Sequence, residues 1–83
     1  MNRADRITSI LTGALEPSHL ELRDESAKHA GHSGARVEGE THYFLSIKSE
    51  AFRGKSKVAC HQMIYGLLGE EFKAGLHALS IIL

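Results

Sequence analysis

Cysteine is almost missing from this chain: Cys60 is the only one among 83 residues, so no internal disulfide can form and a reducing compartment is expected. Neither sign of charge is in surplus, since ten Lys and Arg balance ten Asp and Glu. No overall field therefore exists to hold a polyanion, and nucleic-acid binding would need a local patch. No apolar run is long enough to span a bilayer, and acidic and polar residues interrupt the apolar stretch of the N-terminal MNRADRITSILTGALEP, unlike the core of a signal peptide. A cytosolic protein is the expectation. Internal repeats and low-complexity segments are missing too, in keeping with a single proline. The length is below the usual size for two cores, so residues 1–83 are expected to form one domain with a modest stability margin, burying roughly 60 to 65% of its unfolded surface. Histidine stands out against these shortages. There are six, and histidine is both the commonest metal ligand and the side chain that titrates near neutrality.

The periodicity changes several times along the chain. Ile7, Ile10, Leu11 and Leu15 recur at helical spacing, with Asn2 placed to cap and Asp5 in the first turn, which predicts a helix from Asn2 to about Leu15 that Pro17 ends. HLELRDES then alternates through Leu20 and Leu22 as a strand with one buried face. AKHAGHSGARVEG, residues 27–39, holds three of the eight glycines and no periodicity, and reads as a long loop. Thr41 to Ser49 resumes alternation, and its closeness in sequence to the first strand predicts antiparallel pairing. After AFRGKS a helix is predicted from Ser56, broken near Gly69 and closed at Gly75. The apolar, β-branched HALSIIL is expected as a strand covered on both faces and interior to the sheet. Strand, helix, strand in that order implies a right-handed crossover and a last strand parallel to the second. The fold class is α+β, in the order α-β-β-α-(α)-β, with a three-stranded mixed sheet packed against helices.

This order, with FRGKS before the helix, HQMIY within it and LHALSI at the end, resembles the BolA family, and DESAKHAGH followed by GETHYF adds to the likeness. C-terminal HALSI after a strand-helix-strand run is its most specific part. The resemblance implies a class II KH-like fold. It also implies a monothiol glutaredoxin partner, with a [2Fe-2S] cluster bridging the two proteins and glutathione. On the BolA side the ligands would be a histidine at the start of the last strand, here His77, and a loop residue, here His29 or His32. Two histidines cannot complete a cluster, so the isolated protein is expected to be monomeric and to hold none. Imidazole in place of thiolate on one iron raises the reduction potential, as in Rieske centres, so such a mixed site differs in kind from an all-thiolate one.

The other histidines carry plainer readings. His42 begins a strand and is expected to hydrogen-bond the base of the loop. His61 adjoins Cys60, but neighbouring helical positions point about 100° apart, so the two do not form a nucleophile and base. His61 is taken as structural, Cys60 as a small buried hydrophobe and His19 as exposed. His77 by itself, flanking a buried strand, would more often be a hydrogen-bonded edge residue than a ligand; the HALSI likeness reverses that preference.

FRGKS sets Arg53, Gly54, Lys55 and Lys57 at a helix start, where a phosphate could be held, but only one glycine of a GxxG clamp is present. A turn with a capped helix start explains it as well. Where many BolA-like proteins carry Arg-His-Arg, this chain has Cys60-His61-Gln62, which weakens the alternative of a DNA-binding transcriptional regulator working through the KH-like face. The loop, Gly75 to His77 and the FRGKS edge are expected on one side of the molecule. No paired carboxylates, activated nucleophile or Walker loop is present, so an enzyme is not expected. The leading reading is a binding module that shares a [2Fe-2S] cluster with a monothiol glutaredoxin, in cluster transfer and assembly or in iron and redox regulation.

Overall fold

The computed structural model describes residues 1–26 and 41–83, and the 27–39 loop, with His29 and His32, lies outside these described residues. The described elements are α1 (Arg3–Leu15), β1 (His19–Asp24), β2 (His42–Lys48), a single 3-10 turn (Glu50–Phe52), α2 (Lys57–Leu67), α3 (Gly69–Lys73) and β3 (Ala78–Ile82). Helix α1 starts where Asn2 Oδ1 accepts the Asp5 N–H at 2.8 Å and ends where Glu16 turns into the left-handed region (φ 43°) ahead of Pro17. Ser56 caps α2 in the same way through the Ala59 N–H. The helical path breaks at Leu68 and resumes as α3, close to the expected interruption at Gly69.

The sheet order is β1-β2-β3, with β1 antiparallel and β3 parallel to β2. This is the expected mixed sheet and class II KH-like order. One face is packed: Tyr43, Leu45 and Ile47 of β2 and Leu79 of β3 meet Ile7, Leu11 and Leu15 of α1, Ile64 of α2, and Leu68 and Leu76. The other face carries His19, Glu21 and Arg23 of β1, Phe44 and Ser46 of β2, and Ser80 and Ile82 of β3; Arg23 sits 4.3 Å over the Phe44 ring.

The interior position expected for the last strand is not observed. β2 is the central strand and β3 an edge, in which Leu79 is buried and Ile81 half-buried while Ala78, Ser80 and Ile82 are exposed. The apolar Ile81-Ile82-Leu83 masks an ordinary alternation, because small Ala78 and polar Ser80 mark the open face. Tyr65 of α2 donates its hydroxyl to the Leu79 carbonyl at 3.0 Å and so joins the second helix to this edge strand.

Ion pairing joins the two ends of the helical layer. Glu71 of α3 is 6% exposed and accepts from Arg3 Nε (3.0 Å) and from Arg6 Nε and Nη2 (2.8 and 3.1 Å). Arg3 Nη2 also donates to the Ala74 carbonyl at 2.9 Å. Two guanidinium groups on one carboxylate satisfy the hydrogen bonding that a buried charge requires. The anchored α3 leads directly to Gly75, whose φ of 125° only glycine adopts without strain, and then to Leu76 and His77.

Candidate metal-ligand site at the start of the parallel strands

β2 and β3 run side by side in parallel from the same end of the sheet, His42 pairing with Ala78. The residue just before β3 is therefore brought beside the first residues of β2. His77 occupies that position. Its backbone N–H donates to the Thr41 carbonyl at 2.8 Å, and the Ala78 N–H reaches the same oxygen at 3.0 Å. The His77 side chain is exposed, and its ring centroid lies 5.1 Å from that of His42, with the planes tilted by 48°.

His42 is the opposite kind of residue, 7% exposed and held at several points. Its Nδ1 is hydrogen-bonded to Thr41 Oγ1 at 3.0 Å. Its backbone N–H donates to Ser26 Oγ at 3.0 Å, and its carbonyl accepts the Glu25 N–H at 2.7 Å. Ser26 Oγ also accepts the Thr41 N–H at 2.9 Å and lies 3.2 Å from Thr41 Oγ1, while its own N–H donates to Asp24 Oδ1 at 2.9 Å. Ser26 and Thr41 are each 1% exposed, so this polar knot is buried, and its hydrogen bonds are what make that burial tolerable. The result is one exposed imidazole, His77, on a firmly held backbone beside one buried imidazole.

The remaining sequence candidates fall elsewhere. Cys60 is buried at 2% exposure, as expected, and His61 beside it is half-buried on α2. His19 is exposed and its Nε2 lies 3.3 Å from Ser46 Oγ. Arg53, Gly54, Lys55 and Lys57 are all exposed; Gly54 supplies the turn with φ 75°, and Arg53 pairs with Glu50 at 2.7 Å. They do not share a side with His77. β2 begins at His42 and ends at Lys48, and FRGKS follows that far end, so the length of the strand, roughly 20 Å at about 3.3 Å per residue, separates the basic turn from the histidine pair. The expectation of one common side is corrected by this topology.

The His42–His77 contact was the feature that sequence reading did not find. The usable signal was the parallel register, which sets the His of GETHYF next to the His of LHALSI.

A profile of the BolA-like protein family matches residues 11–83. The chain belongs to the BolA-like protein family. It is 49% identical over 85 residues to "SufE-like protein 1, chloroplastic/mitochondrial" of Arabidopsis thaliana, covering 98% of this chain and 23% of that protein. It is 46% identical over 83 residues to "Protein BOLA1, chloroplastic" of the same plant, covering 98% and 52%. The chain thus spans about half or less of the length of these relatives. Among solved structures, the "BolA domain of SufE1 from Arabidopsis thaliana" superposes with a TM-score of 0.89 at 50% identity, covering 99% of this chain and 90% of that one. The BolA-like likeness read from HALSI and DESAKH is therefore correct, as is the mixed α+β fold. Among the described residues no helix is long and apolar enough to cross a membrane, while the relatives' names point to organelles and do not carry over the cytosolic expectation.

Proposed function

We propose that this BolA-like domain is a non-enzymatic binding module that pairs one-to-one with a monothiol glutaredoxin and shares a [2Fe-2S] cluster with it, for cluster transfer and assembly or for iron and redox regulation. His77 is the ligand at the strand start, and His29 or His32 is the loop ligand. The observation that carries the reading is the state of His77: an exposed imidazole on a backbone anchored twice to the Thr41 carbonyl, which is what a donor offered to another molecule requires. On this reading His77 and one loop histidine supply two donors, and a partner's thiolate and glutathione supply the rest of the cluster's ligands. The cluster brings electron-transfer and thiolate-exchange chemistry; this chain's part is to present imidazole in a fixed direction.

The test is to mix the protein with a monothiol glutaredoxin, iron, sulfide and glutathione under anaerobic conditions. A one-to-one complex with a cluster spectrum is expected from size exclusion and visible circular dichroism, while the BolA-like chain reconstituted alone stays without stoichiometric iron and sulfide. A one-to-one complex that keeps the same cluster spectrum with His77→Ala would sink the ligand assignment. Failure to form any one-to-one species would remove the partnership itself.

A further inference from the structure

The buried histidine next to the exposed one has a role that burial alone does not explain. We propose that His42 is a positioning residue for His77: its fixed ring is the wall against which the His77 imidazole packs, and this contact sets the direction in which the His77 ring nitrogens face solvent. The inference rests on the reading of His77 as the ligand, and extends it to a residue that does not itself bind.

Three observations support it. First, among the described residues no hydrogen bond reaches the His77 ring, so the orienting partner that a ligand histidine ordinarily has on its second nitrogen is not supplied by a carboxylate or carbonyl there. An exposed side chain without such a bond exchanges among staggered rotamers unless packing selects one. Second, packing is available from the His42 ring at 5.1 Å, a separation at which aromatic rings attract in tilted geometry. Third, His42 is itself held on every side that matters for this purpose: Thr41 Oγ1 on Nδ1, Ser26 Oγ on the backbone N–H, and the Glu25 N–H on the carbonyl. Thr41 is common to both rings, since its hydroxyl holds the His42 ring and its carbonyl holds the His77 backbone. One buried threonine thus sets both the wall and the stem of the exposed imidazole.

The experiment has one arm without a cluster and one with it. In the isolated protein, the χ1 couplings of His77 and the ring-current shifts of its Hδ2 and Hε1 protons are measured by NMR in wild type, His42→Ala, His42→Phe and Thr41→Val. His42→Ala should turn a single-rotamer coupling into an averaged one and abolish the ring-current displacement. His42→Phe, which restores a flat ring, should recover the single rotamer. Thr41→Val removes the hydroxyl at nearly constant volume, so it keeps the test open should His42→Ala unfold, and it should produce partial averaging. In the glutaredoxin complex the same variants are followed by visible circular dichroism and by the 14N hyperfine coupling of the reduced cluster. His42→Ala should broaden or shift that coupling, and His42→Phe should restore it. Unchanged His77 couplings and shifts in folded His42→Ala, or in Thr41→Val where that is the folded variant, overturn the inference whatever the cluster does. A rotamer effect in the isolated protein together with a cluster spectrum indifferent to His77→Ala upholds the packing relationship and overturns the ligand reading instead.

Discussion

Arg3 Nε and Glu71 Oε1 lie 3.0 Å apart across 68 residues of sequence, closing the start of α1 onto α3 just before the chain turns at Gly75 toward His77. Arg6 bonds both carboxylate oxygens, and its guanidinium, followed by that of Arg3, holds the Glu71 carboxyl below its ordinary range against the opposing effect of burial. A carboxylate whose pKa is lowered in the folded state contributes stability that is fully present above its unfolded value. That contribution is lost as pH falls through the lowered folded value.

Glu71→Gln should therefore destabilise the domain by about 3 kcal/mol, the low end for breaking a buried pair, because Arg6 is 39% exposed on its side chain and can rehydrate. Urea unfolding at neutral pH checks the size. Repeating it in acid checks the cause, since the gap between wild type and variant should close once the glutamate is protonated. A gap that is constant across the acid range would mean that packing rather than charge is lost.

Gly75→Ala puts a Cβ on a residue with φ 125°, which L side chains rarely adopt. The expected loss is on the order of 1–3 kcal/mol. The next two residues are Leu76, buried at 4% exposure, and His77, so the variant should also shift the His77 amide resonance. Denaturant titration with an amide correlation spectrum would show both effects, and a stable variant with an unmoved His77 amide would contradict the argument.

Ser26→Ala leaves the Thr41 and His42 N–H groups without the hydroxyl oxygen that accepts them in a buried setting. Each unsatisfied buried group costs about 1–3 kcal/mol, so a loss of roughly 2 kcal/mol or more is expected. Hydrogen exchange gives the local signature: the Thr41 and His42 amides should lose protection while the amides of α1 keep theirs. Equal loss in both places would show global destabilisation only.

His77→Ala should behave in the reverse way. The side chain is exposed and its backbone bonds do not depend on it, so the isolated protein should keep its stability within about 0.5 kcal/mol. The glutaredoxin complex should lose or alter its cluster spectrum. Thermal unfolding and visible circular dichroism on the same preparation separate these effects, and a large drop in stability would make His77 a structural residue.

Periodic features were legible in the sequence because they are local. Asn2, Ser56 and Gly75 marked helix limits, and Leu20, Leu22, Leu45 and Ile47 marked the buried side of two strands. The edge position of β3 was misread because Ile81, Ile82 and Leu83 outweighed Ala78 and Ser80, although a strand's two faces are distinguished by alternate positions and not by mean hydropathy. The Arg3 to Glu71 pair and the Ser26 knot were not legible, since nothing periodic connects a serine to amides 15 and 16 residues later. His77 was singled out through the family likeness, and His42 only as a loop-base residue; the ring contact between them needed the parallel register to become visible.

Ser26 and Thr41 bracket residues 27–40 and are bonded to each other, so that stretch leaves and re-enters the fold through a sealed doorway. The residue types within the stretch do not enter these bonds, which join Ser26 to Thr41 directly. A donor residue could be swapped within it, or the whole stretch exchanged for one from another protein, while His77 stays where it is. On the function proposed above, the frame fixes one donor, His77, and leaves the choice of the second to the segment that this doorway brackets.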